Sequence, residues 1–133
     1  LNLKEPATWN DLMIVCETLK KAGVTPLVHS LQQRWPTFIM FEEFIVGEDP
    51  DLYVDLCEGR VKYSDPRVKK AFGVWQEMIA KGYFTDPSID IFADVPRIFN
   101  EGEIGMIVCG TWYMSTLTGR GVSQNKIGMF LLL

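Results

Sequence analysis

Met106-Ile107-Val108-Cys109-Gly110-Thr111-Trp112-Tyr113 passes from an almost wholly apolar segment through a glycine to a tryptophan. A short apolar run that stops at a turn signal predicts a buried strand, and the residues after Gly110 predict the first turn of a helix. Strand, tight turn and helix N-terminus in that order is how many α/β proteins present groups to a small ligand, beyond the carboxyl end of a strand. An indole at such a junction has an apolar face and one N–H donor, so Trp112 can stack on a flat ligand surface. Backbone N–H groups at Thr111, Trp112 and Tyr113 would be free to meet ligand oxygens. The junction points to binding, not catalysis.

The bulk properties narrow the classes. A chain of 133 residues suits one domain with a real core, and 47% hydrophobic with 23% charged residues is an ordinary globular composition. The net charge of −4, without any basic run, argues against a nucleic-acid surface. Cys16, Cys57 and Cys109 are odd in number, form no C-x-x-C pair and sit in apolar stretches. They predict buried free thiols, not a disulfide framework, and leave the compartment undecided. No stretch reaches the roughly 20 apolar residues of a membrane span. The best candidate, residues 38–46, is short and holds Glu42 and Glu43. The sequence opens on Leu1-Asn2-Leu3 without an initiator Met and closes on Phe130-Leu131-Leu132-Leu133, which suggests an excised piece of something longer.

Outward from the junction, helices dominate. Thr8 with Asp11 three residues on predicts a capped helix start, and Trp9, Leu12, Met13, Cys16 and Leu19 share one face at helical spacing. Lys20, Lys21 and then Gly23 end that helix. Residues 24–29 predict a strand, with Pro26 marking an edge or a start. After the polar loop Ser30-Leu31-Gln32-Gln33-Arg34, Trp35-Pro36 opens a second helix with Phe38, Phe41, Phe44 and Ile45 as its buried stripe. Gly47 to Pro50 breaks the chain, residues 51–58 form a short helix, and Ser64-Asp65-Pro66 starts another. That helix carries Val68, Ala71, Phe72, Trp75, Met78 and Ile79 on one face. Residues 83–90 read as a loop, 93–100 as a helix, 104–109 as a strand, 112–117 as a helix and 127–132 as a last strand. The expected fold class is α/β: a helix-rich unit with a small sheet of about three strands.

No catalytic set is marked. The single histidine, His29, ends a predicted strand and is read as a structural hydrogen-bonder. No P-loop, G-x-G-x-x-G, H-E-x-x-H or EF-hand pattern occurs, and neither a metal nor an organic cofactor is implied. Of the four tryptophans, Trp9 and Trp75 lie on amphipathic stripes and are read as core. Trp35 and Trp112 stand at helix N-termini, each after a strand and a short loop. Two aromatics at equivalent junctions can wall one cleft, or each can simply pack the first turn of its own helix. Gln33 and Arg34, with Ser30 and Gln32, offer amide and guanidinium groups suited to a polyhydroxylated ligand, although Arg34 equally suits a carboxylate or phosphate. The loop can also be merely solvated.

Four stretches together resemble one family. Pro6-Ala7-Thr8-Trp9-Asn10-Asp11-Leu12 with Lys21-Ala22-Gly23-Val24-Thr25-Pro26-Leu27 is the first. Tyr63-Ser64-Asp65-Pro66-Arg67-Val68 with Trp75 and Lys81-Gly82-Tyr83-Phe84 is the second. Phe99-Asn100-Glu101-Gly102-Glu103-Ile104-Gly105-Met106 with Gly110-Thr111-Trp112 is the third, and Lys126-Ile127-Gly128-Met129-Phe130 the last. In this order and spacing they resemble the extracellular solute-binding proteins of carbohydrate ABC importers. Gly105 departs from the family's usual Ala, and Leu131 stands where a proline is common.

The resemblance implies a fold of two α/β lobes of the periplasmic-binding-protein-like class II type, with solute held between them. This chain, 1–133 as a single domain, would be most of the second, C-terminal lobe. Its implied partners are a carbohydrate, the transmembrane permease subunits of the importer and the missing first lobe, with no nucleic acid. The implied location is extracellular or periplasmic, as a lipid-anchored protein in its intact form. By resemblance Trp112 stacks on a sugar ring and Trp35 lies at the cleft edge, with Gly110, Thr111, Gln33 and Arg34 around them. Two other classes fit the residues: a helical protein-interaction module with its aromatics on a convex face, and a lobe for an anionic or peptide solute. The indole after Gly110 is expected to be uncovered.

Overall fold

The computed structural model describes residues 1–131. Six helices are arranged around a very small parallel sheet: α1 (Trp9–Lys21), β1 (Thr25–Leu27), α2 (Trp35–Glu48), α3 (Leu52–Cys57), α4 (Pro66–Ala80), α5 (Val95–Glu101), β2 (Ile104–Met106) and α6 (Tyr113–Gly119). No described helix is long and apolar enough to cross a membrane.

Local chemistry sets the helix starts. The Thr8 hydroxyl oxygen accepts the Asp11 N–H at 3.2 Å and its O–H donates to the Asp11 carboxylate at 2.8 Å, so two side chains close the first turn of α1. At α4, Asp65 Oδ1 accepts the Arg67 N–H at 2.9 Å and Pro66 occupies the favoured first position. The start of α2 has no side-chain cap; Arg34 turns into it with a φ of 64°. That conformation is uncommon for a residue with a Cβ, and it lies beside the candidate site.

Thr25 pairs with Ile104 and Leu27 with Met106. On the other side of β1 the Leu27 N–H donates to the Tyr83 carbonyl at 2.9 Å and the Thr85 N–H to the Leu27 carbonyl at 3.0 Å. Phe84 therefore stands opposite Leu27 in a parallel bridge. The sheet thus differs from expectation: two short strands and one bridge, with the third ledge supplied by residues 83–85, which had read as loop. Residues 127–131 form no strand, because an extended run becomes one only beside a partner and none lies there among the described residues. The last position of that expected strand, 132, lies outside them.

Two cores flank the sheet. The first gathers Leu12, Cys16, Leu27, Phe41, Phe44, Ile45, Leu52, Val68 and Met78; the second gathers Ile91, Val95, Ile98, Ile104, Tyr113, Leu117 and Val122. Residues 106–109 alternate between them: Met106 and Val108 pack on the first, Ile107 and Cys109 on the second, as period-2 backbone requires. Gly105 is explained here. A Cβ on it would lie 2.5 Å from Leu19 Cδ1, so the Leu19 side chain fills the space an alanine methyl would need.

Several expected core positions are exposed instead. Phe38, Phe72 and Ile79 face solvent, while Phe41, Phe44, Val68, Ala71 and Met78 are buried. A three-residue step falls about 60° short of a full turn, so Phe38 drifts off the Phe41–Phe44 side; Phe72 and Ile79 each sit about 100° round from a buried neighbour. Trp9 and Trp75 are half-buried, stacked on either side of Phe44 at 5.4 and 5.8 Å between ring centroids. Cys57 is exposed, whereas Cys16 is buried and its thiol pushed up to about 11 by that burial.

Candidate functional site

Trp112 sits at the N-cap of α6 and Trp35 opens α2, and the fold brings their rings to 5.4 Å between centroids at an angle of 49°. Trp112 is 49% exposed. Phe92 completes the group, 6.2 Å from Trp35 and 6.4 Å from Trp112, with its own edge in solvent. Tyr113 supports the cluster from behind, edge-on to Trp112 at 5.7 Å. The three outer rings make one continuous aromatic face.

Gly110 leaves room for the pose of the indole. A Cβ there would lie 2.5 Å from Trp112 Nε1 and 2.7 Å from Cδ1, so the ring folds back over a position that only glycine leaves open. Gly110→Ala should swing the half-exposed indole away from Trp35. Its expected signature is an altered Trp112 indole resonance and weakened ligand binding, with a melting temperature close to that of the parent. An unmoved indole resonance would show that the ring does not depend on the space left at Gly110.

The loops carrying these rings are laced together. The single O–H of buried Ser30 points between two acceptors, the Ile89 carbonyl at 2.7 Å and Gln33 Oε1 at 3.1 Å, and the Leu31 N–H donates to the Pro87 carbonyl at 2.8 Å. Gln33 Nε2 donates to Asp90 at 2.6 Å while its Oε1 accepts the Ile91 N–H at 3.3 Å. The other Asp90 oxygen accepts the N–H groups of Phe92 and Ala93 at 2.7 and 2.8 Å, and these two bonds chiefly hold its carboxyl below the usual range. Tyr113 Oη donates to the Ile91 carbonyl. Residues 86–94 are thereby tied to both tryptophan junctions.

The sequence-derived candidates divide accordingly. Trp35, Trp112 and Gly110 come together, and exposed Thr111 adjoins them. The Gln33 carboxamide is engaged within the loop and positions it. Arg34 is exposed and has no carboxylate partner among the described residues. The Tyr113 N–H is not free, since it donates to the Gly110 carbonyl at 3.0 Å; those of Thr111 and Trp112 have no acceptor among the described residues. Phe92 was not singled out from sequence. Its only signal was an aromatic in a turn after Asp90, which means little until the fold brings Trp35 and Trp112 beside it. Two hollows of the surface lie elsewhere: one of about 390 Å³ beside Trp9 and Phe44, the other of about 330 Å³ beside Arg34, Phe41 and Trp75. Trp35, Phe92 and Trp112 line neither of them.

His29 is structural. Its backbone N–H and carbonyl both bond the Thr85 hydroxyl at 2.9 Å, while its ring packs on Phe84 and Trp75 at 5.3 and 5.7 Å and its buried Nε2 has no hydrogen-bond partner among the described residues, so the ring packs and is not the hydrogen-bonder expected. Burial holds its pKa below the ordinary 6.5. The unfolded chain therefore takes up the proton first, so stability is full above 6.5 and falls as pH drops through the window below it. The melting temperature should decline as pH falls below about 6.5, and less steeply in His29→Phe. Identical slopes would show that His29 does not cause the decline. No cluster of three or more metal-ligating side chains occurs among the described residues.

Residues 1–127 match the bacterial extracellular solute-binding proteins. The chain belongs to that family. An uncharacterized ABC transporter extracellular-binding protein of Pyrococcus horikoshii is 35% identical over 135 residues, spanning 98% of this chain and 31% of that protein. Among solved structures, the bacterial solute receptor AcbH, which has an exclusive substrate preference for β-D-galactopyranose, aligns with a TM-score of 0.77 at 21% identity, covering 92% of this chain and 30% of its own. A chitin oligosaccharide binding protein aligns with a TM-score of 0.74 at 26% identity, covering 91% and 31%. The chain thus spans about a third of the length of the solute-binding proteins it matches. Its helix-rich fold with a small parallel sheet is that of a segment of these receptors.

Proposed function

We propose that this chain is the second-lobe, ligand-binding part of a carbohydrate receptor that works outside the cytoplasm and delivers its sugar to an ABC permease. The observation that carries this is the half-exposed Trp112 indole, lying over Gly110 and against Trp35 at a strand–glycine–helix junction. A pyranose has an apolar face that an indole or phenyl ring can cover and a rim of hydroxyls that need donors and acceptors. The free N–H groups of Thr111 and Trp112 supply donors at that rim. Binding would be completed by a first lobe closing over the sugar, a hinge motion in which no bond is made or broken.

One lobe offers half of such a site, so this chain should hold sugars more weakly than about 1 mM, which corresponds to about −4 kcal/mol. The test is an NMR titration of the indole Nε1–H resonances with glucose, galactose, xylose and N-acetylglucosamine at high concentration. At least one sugar should shift Trp112 and Trp35 and leave Trp9 in place. Sugar shifts confined to Trp9, or none with any sugar, would overturn the reading. Because Arg34 has no acidic partner among the described residues, a sugar acid titrated in parallel distinguishes the second reading, an anionic solute, by stronger shifts than its neutral parent.

A further inference from the structure

Asp90 is where the loops of the aromatic face meet. Its Oδ1 accepts the Phe92 and Ala93 N–H groups at 2.7 and 2.8 Å, and its Oδ2 accepts the Gln33 carboxamide N–H at 2.6 Å. We propose that Asp90, acting through Gln33, is the positioning residue of the sugar face: without touching the sugar, it holds Trp35, Phe92 and Trp112 in the one arrangement that binds. The proposal rests on the carbohydrate reading above and adds what sets the affinity of that site.

Each ring hangs on this pair by a short path. Phe92 follows Asp90 by two residues and its own N–H is bound, an Asx turn that sets the direction in which the ring leaves the chain. Trp35 follows Gln33 by two residues and donates its N–H to the Gln33 carbonyl at 2.8 Å. Between them Arg34 has a φ of 64°, which a residue with a Cβ holds only where its surroundings over-determine it. Gln33 supplies that restraint, because both ends of its carboxamide are engaged: Nε2 by Asp90, and Oε1 by the Ile91 N–H at 3.3 Å and the Ser30 hydroxyl at 3.1 Å. Trp112 is reached through Ile91, whose carbonyl accepts the Tyr113 hydroxyl, and through the Phe92 ring beside it. The three rings meet one another tilted, at 49°, 40° and 34°. Such contacts between partly exposed rings are weak and weakly directional beside hydrogen bonds to an ionised carboxylate, so the polar pair sets the pose. A face without it divides its time among several poses, and apparent affinity falls with the fraction that stays competent.

The hydrogen-bond roles of the pair can be exchanged without losing a bond. Gln33→Glu sets a carboxylate against Asp90, and Asp90→Asn sets an amide NH2 against that of Gln33, so each alone breaks the contact. In the double variant the new amide at position 90 donates to the new carboxylate at position 33, while the Ile91, Phe92 and Ala93 N–H groups and the Ser30 hydroxyl keep their acceptors. The probe is whichever of glucose, galactose, xylose and N-acetylglucosamine shifts Trp112 most in the parent chain. Each single variant should lower affinity for it by about tenfold or more, and should move the Trp35 and Trp112 indole resonances of the free chain while Trp9 and Trp75 hold theirs. The double variant should restore those resonances and bring affinity back to within about threefold of the parent. Single variants that bind like the parent with unmoved indoles, or a double variant that restores nothing, would overturn the proposal. Movement of Trp9 and Trp75 in the single variants would also overturn it, by making the pair a general support of the fold. A parent chain that answers to no sugar would overturn the carbohydrate reading instead, and the free-chain resonances would still decide whether Asp90 and Gln33 hold the rings.

Discussion

Trp112→Ala should abolish sugar-induced shifts of the Trp35 indole while leaving the chain folded. The indole is the most exposed ring of the aromatic face, and truncation of a central tryptophan anchor typically costs at least about 2 kcal/mol. That is at least about thirtyfold in affinity, which carries a half-site already weaker than about 1 mM beyond detection. The fold should tolerate the change, because Trp112 is 49% exposed and its removal opens no interior cavity. Exposed substitutions of this kind usually stay within about 0.5 kcal/mol. Trp112→Phe should keep part of the binding, since a smaller ring still covers a sugar face. Full binding by Trp112→Ala would remove the main support for the carbohydrate reading; collapse of the fold would mean that the ring is a core residue after all.

Ile45→Ala should have the largest effect on stability. Ile45 is fully buried on α2, within the first core. Shortening a buried isoleucine to alanine leaves a cavity and costs about 2–5 kcal/mol, a large share of the roughly 5–15 kcal/mol that holds a domain together. The melting temperature should drop by on the order of 10 °C. Val46→Ala next to it is the control, since Val46 is 42% exposed and its truncation should change little. At temperatures where Ile45→Ala remains folded it should still bind sugar through Trp112. A small shift for Ile45→Ala, or equal shifts for the two variants, would contradict the packing described for α2.

These two residues separate what patterning reveals from what it hides. The hydrophobic period of α2 predicted that Phe41, Phe44 and Ile45 would be buried, and they are. It predicted the same for Phe38, which is not, because periodicity gives the side of a helix that is apolar but not the width of the partner that covers it. On α4 the stripe was legible in Val68, Ala71 and Met78, yet Phe72 and Ile79 fall just beyond the covered strip. The wide apolar stripes were therefore two things at once: a core face and a surface groove.

The sequence by itself determined the local elements. Thr8 with Asp11, Asp65 with Pro66, and Trp35-Pro36 set helix starts through side-chain caps and fixed φ angles, forces that act within a turn or two. The motif series from Pro6 to Phe130 also carried the family. Tertiary structure alone decided that Trp35, Phe92 and Trp112 share one face, that residues 83–85 lie beside β1 where a loop was expected, and that Gln33 is spent on Asp90. Each of these depends on contacts between residues about 20 to 80 positions apart. Their energy comes from buried area and paired polar groups that exist only once the chain has closed on itself, so no local pattern carries their trace.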